Sequence, residues 1–304
     1  MTSKSLATNN FDPSRIIQDD GDCQMFKGVL DNRTIIIRKY IIRENDKDND
    51  EVRSRAIRDI KISRQMSSHK NALKLLGCCL EFPLPALVHE NAAKGVLRDD
   101  GSLSGANGGQ SLLPWKTRLR IAKQLANALT YLHTAFSEPI IHMNLRSTCI
   151  LLDDDYVPKL SNFSFSVSDS PKQSHVKGDN QIRASGYTDP DYLATGYITQ
   201  KTDVYSFGVL LLVLLTQRAA SSNQAGELDI TANPKFHVSD GQTQIQTIVN
   251  PKILKEVGED GHAQQQLQDC LALAVSCIQN QSEARPKMIH VAKELVRIEK
   301  SIFP

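Results

Sequence analysis

The chain carries almost no excess charge, with 36 Lys and Arg against 34 Asp and Glu. No global field therefore argues for nucleic acid or an anionic membrane surface as partner. Its six cysteines, Cys23, Cys78, Cys79, Cys149, Cys270 and Cys277, lack a paired C-x-x-C spacing. Reduced, buried cytosolic thiols are expected rather than a disulfide framework or a zinc site. The longest apolar run, Val204 to Leu215, contains Ser206 and Gly208 and falls short of the roughly 20 residues of a spanning helix; it predicts a buried core helix. Met1-Thr2-Ser3-Lys4-Ser5 has no apolar signal core and no Gly at position 2, so neither secretion nor myristoylation is expected.

What is present is enough for a sizeable core: 304 residues, 40% hydrophobic and 23% charged, fit one large domain or two lobes. Strands are expected over Gln24 to Val29 and, from its β-branched clustering, over Asp31 to Ile42. Helical spacing of Ala56, Ile57, Ile60 and Arg64 predicts a helix over Val52 to Met66. Leu73 to Gly77 and Pro85 to Val88 are further short strands. The densest basic region, Arg33 to Arg64, is interleaved with Asp46, Asp48, Asp50, Glu51 and Asp59 and reads as a solvated helix face.

Beyond residue 90 the chain reads as mainly helical, with apolar stripes at Leu119, Ala122, Ala126 and Leu129, at Leu267, Cys270, Leu271 and Ala274, and at Met288, Val291, Leu295 and Ile298. Asp99 to Ser111, rich in Gly and Ser, reads as an exposed insertion, either a partner contact or a flexible connection. Leu160 to Asp189 holds seven serines and no clean period. It reads as a long exposed segment, regulatory or merely permissive; Ser164, Ser166, Ser168, Ser170 and Ser174 there are candidates for modification or simply loop composition. Asp153-Asp154-Asp155 reads as an exposed turn between short strands.

Six strings in order carry a family likeness: Lys70 to Glu81 (KNALKLLGCCLE), Pro114 to Ala122 (PWKTRLRIA), Tyr131-Leu132-His133, Gly186 to Tyr192 (GYTDPDY), Lys201 to Gly208 (KTDVYSFG) and Ala284-Arg285-Pro286. In this order and spacing the chain resembles the protein kinases, in particular the plant receptor-like group related to wall-associated kinases, over roughly residues 15 to 300. The resemblance implies a bilobal α+β fold, with an N-terminal extension at 1–14, a small β-rich lobe with one helix at about 15–90, and a larger, mainly α lobe at about 91–300. It implies structural roles for His142 and Phe163 in a spine, for Asp203 holding the catalytic-loop backbone, and for Asp191 paired with Arg285.

The positions that would carry chemistry differ. Phosphoryl transfer rests on positioning and electrostatics supplied by a glycine loop, a strand Lys, a base and magnesium ligands. Gln18, Asp20 and Cys23 stand where the loop glycines belong, with only Gly21 nearby, and side chains there crowd the approach to phosphate. Arg38 replaces the strand Lys with a wider, planar fork; Lys39 faces the other way on a strand. Asp59 matches the helix Glu. Asn144 replaces the catalytic Asp, and an amide has no useful basicity. Asn162 brings no negative charge to a metal, and the soft sulfur of Cys149 is a poor magnesium ligand. Met143 replaces the Arg that answers an activation-segment phosphate.

No catalytic residue, no metal site and weak or absent ATP binding are therefore expected: a pseudokinase. The competing reading is an atypical serine/threonine kinase using Arg38 or Lys39 for phosphate and Asp19, Asp20 or Asp153 to Asp155 for metal. The first is similar to small plant pseudokinase adaptors of innate immunity. That resemblance implies partners among intracellular nucleotide-binding leucine-rich-repeat receptors and receptor-like cytoplasmic kinases, and a cytoplasmic location, recruited through partners to the inner face of the plasma membrane.

Overall fold

The computed structural model describes residues 8–41, 49–80, 83–104, 109–168, 185–220 and 241–300. Ser170 and Ser174 lie outside them. Two compact units form, and the division is not the continuous one expected at residue 90. The first unit runs through Val96 and takes back Thr148–Ser166; the second holds Leu97–Ser147 and the residues from Val167 onward.

In the first unit, β1 (Ile16–Asp19), β2 (Cys23–Leu30), β3 (Arg33–Tyr40), β4 (Leu75–Cys79) and β5 (Ala86–Glu90) form a sheet of order β1-β2-β3-β5-β4. Asp31 and Asn32, with φ of 49° and 59°, make the tight turn between β2 and β3, where positive φ at both positions matches the strand twist. Ile35 and Ile37 pack with Cys79, Ala86 and Val88. Ile36 goes to the other face with Met25, Leu73, Ala92 and Leu151, as a period of two requires. Helix α1 (Asn49–Met66) lays Val52 and Ala56 against Tyr40 and Leu87.

Residues 8–14, expected as an extension outside the domain, pack on this unit. Asn9, Asn10 and Phe11 all adopt positive φ, at 52°, 60° and 59°, which is costly for Phe. The Phe11 ring meets Phe26 edge-on at 5.2 Å, and Lys39 Nζ lies 4.6 Å from its centroid.

Thr148–Ser166 joins this unit through backbone pairing. The short strand β6 (Gly95–Val96) is followed in the second unit by a hairpin of β7 (Leu103–Ser104) and β8 (Gln110–Ser111), and by β9 (Ile140–Ile141). Then β10 (Ile150–Leu152) pairs with both β6 and β11 (Pro158–Leu160). Leu73 N donates to Leu160 O at 2.9 Å and Leu160 N to Asn71 O at 2.8 Å. Asp153 to Asp155 forms the expected turn, with Asp153 Oδ1 accepting from the Asp155 and Val157 amides.

The second unit is helical: α2 (Trp115–Thr134), α3 (Pro190–Thr195), α4 (Gln200–Thr216), α5 (Gly241–Ile248), α6 (Pro251–Val257), α7 (Gly261–Cys277) and α8 (Met288–Lys300), with β12 (Val167–Ser168) pairing to β9. The apolar run is the core helix α4, buried from Thr202 through Thr216 and started by a Thr199–Thr202 capping box. At Gly208 a Cβ would stand 2.6 Å from Cys277 Cβ and 2.7 Å from Ile278 Cγ2, so only glycine lets α4 approach α7 this closely. No helix among the described residues is long and apolar enough to cross a membrane.

Two loop expectations are corrected. Asp99 to Ser111 is not simply exposed: Gly101, Ser102 and Leu103 are buried and part of the stretch pairs as the β7–β8 hairpin. The segment beginning at Leu160 is buried through Ser164 and again at Ser166, because it carries the β11 pairing and the contacts described next.

Candidate functional site

Strand β3 presents Arg38 toward α1, which carries Asp59. Arg38 Nη1 donates to Asp59 Oδ2 at 2.8 Å, and Arg38 Nη2 donates to Ser161 Oγ at 3.0 Å and approaches Met25 Sδ at 3.7 Å. Asp59, expected to match the helix carboxylate, is thus ion-paired to Arg38, with both side chains at most 2% exposed. Asp59 also accepts from Tyr40 Oη at 2.8 Å, Ser63 Oγ at 3.1 Å and Phe163 N at 2.9 Å. Burial works against its charge, but Arg38, His89, the Tyr40 hydroxyl and the Phe163 amide hold it below the usual carboxylate range. Burial, then Asp59, pushes the Tyr40 phenol well up.

The β1–β2 turn is filled by its own side chains. Gln18 Nε2 donates to both the Thr148 carbonyl and Asp20 Oδ2, each at 2.9 Å. Asp19 accepts from the Gly21 amide at 2.8 Å and from Gln24 Nε2 at 2.7 Å, and Asp22 pairs with Arg55 at 3.4 Å. Gly21 has φ 77°, so its freedom is spent on the turn itself. Cys23 is buried, and burial pushes its thiol up to about 12.

Asn162 sits at φ 67°, a left-handed conformation that Asn tolerates well. Its amide oxygen accepts from Ser164 Oγ at 2.7 Å. The sequence offered Ser164 and Ser166 as modification candidates; both are buried, and the Ser164 hydroxyl is committed to Asn162, whereas Ser168 is exposed. Cys149 is buried, and its carbonyl accepts from Ser161 N at 2.9 Å and Ser161 Oγ at 3.1 Å.

In the second unit, Asp203, expected to hold the catalytic-loop backbone, lies under residues 142 and 143. Its carboxylate accepts from the His142 amide at 2.8 Å and the Met143 amide at 3.0 Å, and meets His133 Nε2 at 2.8 Å. Despite burial, these donors hold it below the ordinary range. Met143 is thereby kept at φ 66°. Asn144 N donates to His142 Nδ1 at 3.3 Å. With Met143, Leu145, Arg146, Tyr187 and Thr188, Asn144 borders a cavity of about 20 Å³, room for roughly one water. His142 and Phe163 are fully buried, one in each unit.

One structural assignment is overturned. Arg285 pairs with Asp189, not Asp191, through two contacts of 2.7 and 2.6 Å. Asp191 instead accepts from the Ser282 amide at 3.3 Å. Asp189 is the N-cap of α3, accepting from the Asp191 amide at 2.9 Å, and is 2% exposed. An Asp at 191 is one methylene shorter than the Glu it replaces, while the cap carboxylate already faces inward. The Asp-Pro pair that starts the helix was the available signal. Sequence reasoning also missed Ser161, Tyr40 and Ser63, whose roles depend on partners up to 123 positions away.

The sequence profile described as "Protein tyrosine and serine/threonine kinase" matches residues 22–295. The chain is 43% identical to the Arabidopsis thaliana "Non-functional pseudokinase ZED1", covering 97% of this chain and 86% of that protein. It is 39% identical to the "Serine/threonine-protein kinase ZRK1" of the same plant, over 97% and 83% of the two chains. It is 34% identical to "Wall-associated receptor kinase-like 4", over 98% of this chain and 37% of that one. The chain belongs to the protein tyrosine and serine/threonine kinase family, among the pseudokinase and wall-associated-kinase-like proteins of plants.

Proposed function

We propose that this chain is a catalytically inactive kinase-like adaptor or decoy of plant innate immune signalling that binds neither ATP nor magnesium productively. The observation that carries this reading is that its would-be nucleotide groups are already engaged within the chain. The Asn162 oxygen is taken by Ser164, Gln18 spans from Asp20 to the Thr148 carbonyl, and the Arg38 fork is spent on Asp59 and Ser161. A residue set of Asn162 and Cys149 does not fit a hard dication, which takes charged oxygen ligands. Removing one preorganised electrostatic group costs about 10²–10³ in rate, and several are altered together.

On this reading its partners are an intracellular nucleotide-binding leucine-rich-repeat receptor and receptor-like cytoplasmic kinases, met in the cytoplasm at the inner face of the plasma membrane. The support is the likeness to a relative named a non-functional pseudokinase. A second reading, weak residual phosphotransfer, is favoured by the relative named a serine/threonine-protein kinase. Purified chain titrated with millimolar ATP, with and without Mg²⁺ or Mn²⁺, distinguishes them. No thermal shift and no transfer support the adaptor; transfer that vanishes in Arg38→Ala establishes the alternative. Co-purification from plant tissue followed by mass spectrometry identifies the partners.

A further inference from the structure

We infer that the outward face of α1 docks an acidic segment of a partner protein. The inward face is fastened at several points. Asp59 is enclosed by Arg38, Tyr40, Ser63 and the Phe163 amide. Arg58 Nη1 donates to Ser164 O at 2.9 Å, and Arg55 lies 5.2 Å over the Phe165 ring while pairing with Asp22 and Glu51. The helix therefore cannot turn to bury its other side.

That fastening also sorts the charges. The sequence interleaves acids with bases here, which read as a neutralised solvated face. In the structure Asp59 is internal and Glu51 is engaged by Arg55. Along the helix the exposed residues from position 50 are Asp50, Arg53, Ser54, Ile57, Lys61, Arg64 and Gln65, three cations and one acid, which sits in the first turn. Arg53, Ile57, Lys61 and Arg64 recur at helical spacing on one stripe. The acid of that stripe, Asp50, stands about three turns before Lys61, so Lys61 and Arg64, three apart, repel one another without a counter-charge within reach on the stripe. Ile57 stands among them 51% exposed, a β-branched side chain that gives up rotamer freedom in a helix without the burial that offsets it.

Cations flanking one apolar anchor fit a segment rich in Asp and Glu with a single large apolar residue set on Ile57. A lipid surface fits less well, since polybasic membrane recognition uses clusters of about 4–8 Lys or Arg and the stripe has three. This inference rests on the adaptor reading only in requiring that a protein partner exists.

The test places a benzophenone amino acid at Ile57 in the full chain expressed in plant tissue, with a second probe at Tyr197, exposed in the other unit. Adducts formed under light are sequenced. The expected adduct at Ile57 is with a peptide of net acidic charge, and its yield falls at least about tenfold in Lys61→Glu/Arg64→Glu at an unchanged melting temperature. An adduct with a peptide lacking acidic excess, an adduct that survives the reversal, or adducts at Tyr197 alone would overturn it. Absence of adducts at both probes removes the adaptor reading and this inference together. Co-sedimentation with phosphatidylserine vesicles that the same reversal abolishes reassigns the face to a membrane and also overturns the inference.

Discussion

Arg38 Nη1 lies 2.8 Å from Asp59 Oδ2, and neither side chain reaches solvent. The guanidinium spends its second nitrogen on Ser161 Oγ, so the pair is a structural cross-tie from β3 to α1 and to the segment before Asn162.

Breaking one side of a buried pair leaves an uncompensated charge. Arg38→Met is expected to cost about 3–5 kcal/mol, and Asp59→Asn a similar amount. In Arg38→Met/Asp59→Asn the loss should be well below the sum of the two. Urea denaturation of the four proteins reads this coupling, and simple additivity would refute the cross-tie.

The two aspartates of the α3 entrance should behave very differently. Asp189→Ala removes both contacts to Arg285 and the helix cap, for an expected loss of about 3–5 kcal/mol. Asp191→Ala removes one long hydrogen bond, for about 1 kcal/mol or less. Equal effects in thermal denaturation would mean that Arg285 is held elsewhere.

Gly208→Ala forces a methyl into Cys277 and Ile278. Overpacking of this kind costs about 1–3 kcal/mol, although alanine is the better helix former by about 1 kcal/mol. A variant as stable as the parent would show that α4 and α7 are not in close contact.

His89 is 1% exposed, and among the described residues neither ring nitrogen has a partner in hydrogen-bonding geometry. Burial, then the charge of Arg38, pulls its pKa down to about 4. The unfolded chain takes up this proton near pH 6.5, while the folded chain refuses it until about pH 4. Stability therefore falls as pH drops across that window, by about 3 kcal/mol from this group. Asp59 and Asp203, with lowered values, add their losses only below about pH 4. His89→Leu should flatten the slope between pH 6.5 and 4.5 in urea titrations; an unchanged slope would clear His89.

Much of the fold was legible because its signals are local. The Ile35-Ile36-Ile37 run, the Leu119 to Leu129 stripe and the Val204 to Leu215 run each announce their element through periodicity or length. The placement of Asp203 under the His142 and Met143 amides also followed from a short motif. The buried start of the 160–168 segment was not legible, because serines at 161, 164 and 166 read as loop composition until their partners are known. Asp189 and Asp191 are likewise indistinguishable by type.

By itself the sequence determined which side chains stand at the motif positions. Asn144, Cys149, Asn162, Gln18, Asp20 and Arg38 are facts of composition at motif positions, and an amide or a thiol cannot become a carboxylate by folding. Only the tertiary structure decided what those residues do instead. Hydrogen bonds depend on distances of a few tenths of an ångström between groups far apart in the chain, and no spacing rule contains them. They gave Asn162 to Ser164, Gln18 to Thr148 and Arg38 to Asp59, and they left one face of α1 basic.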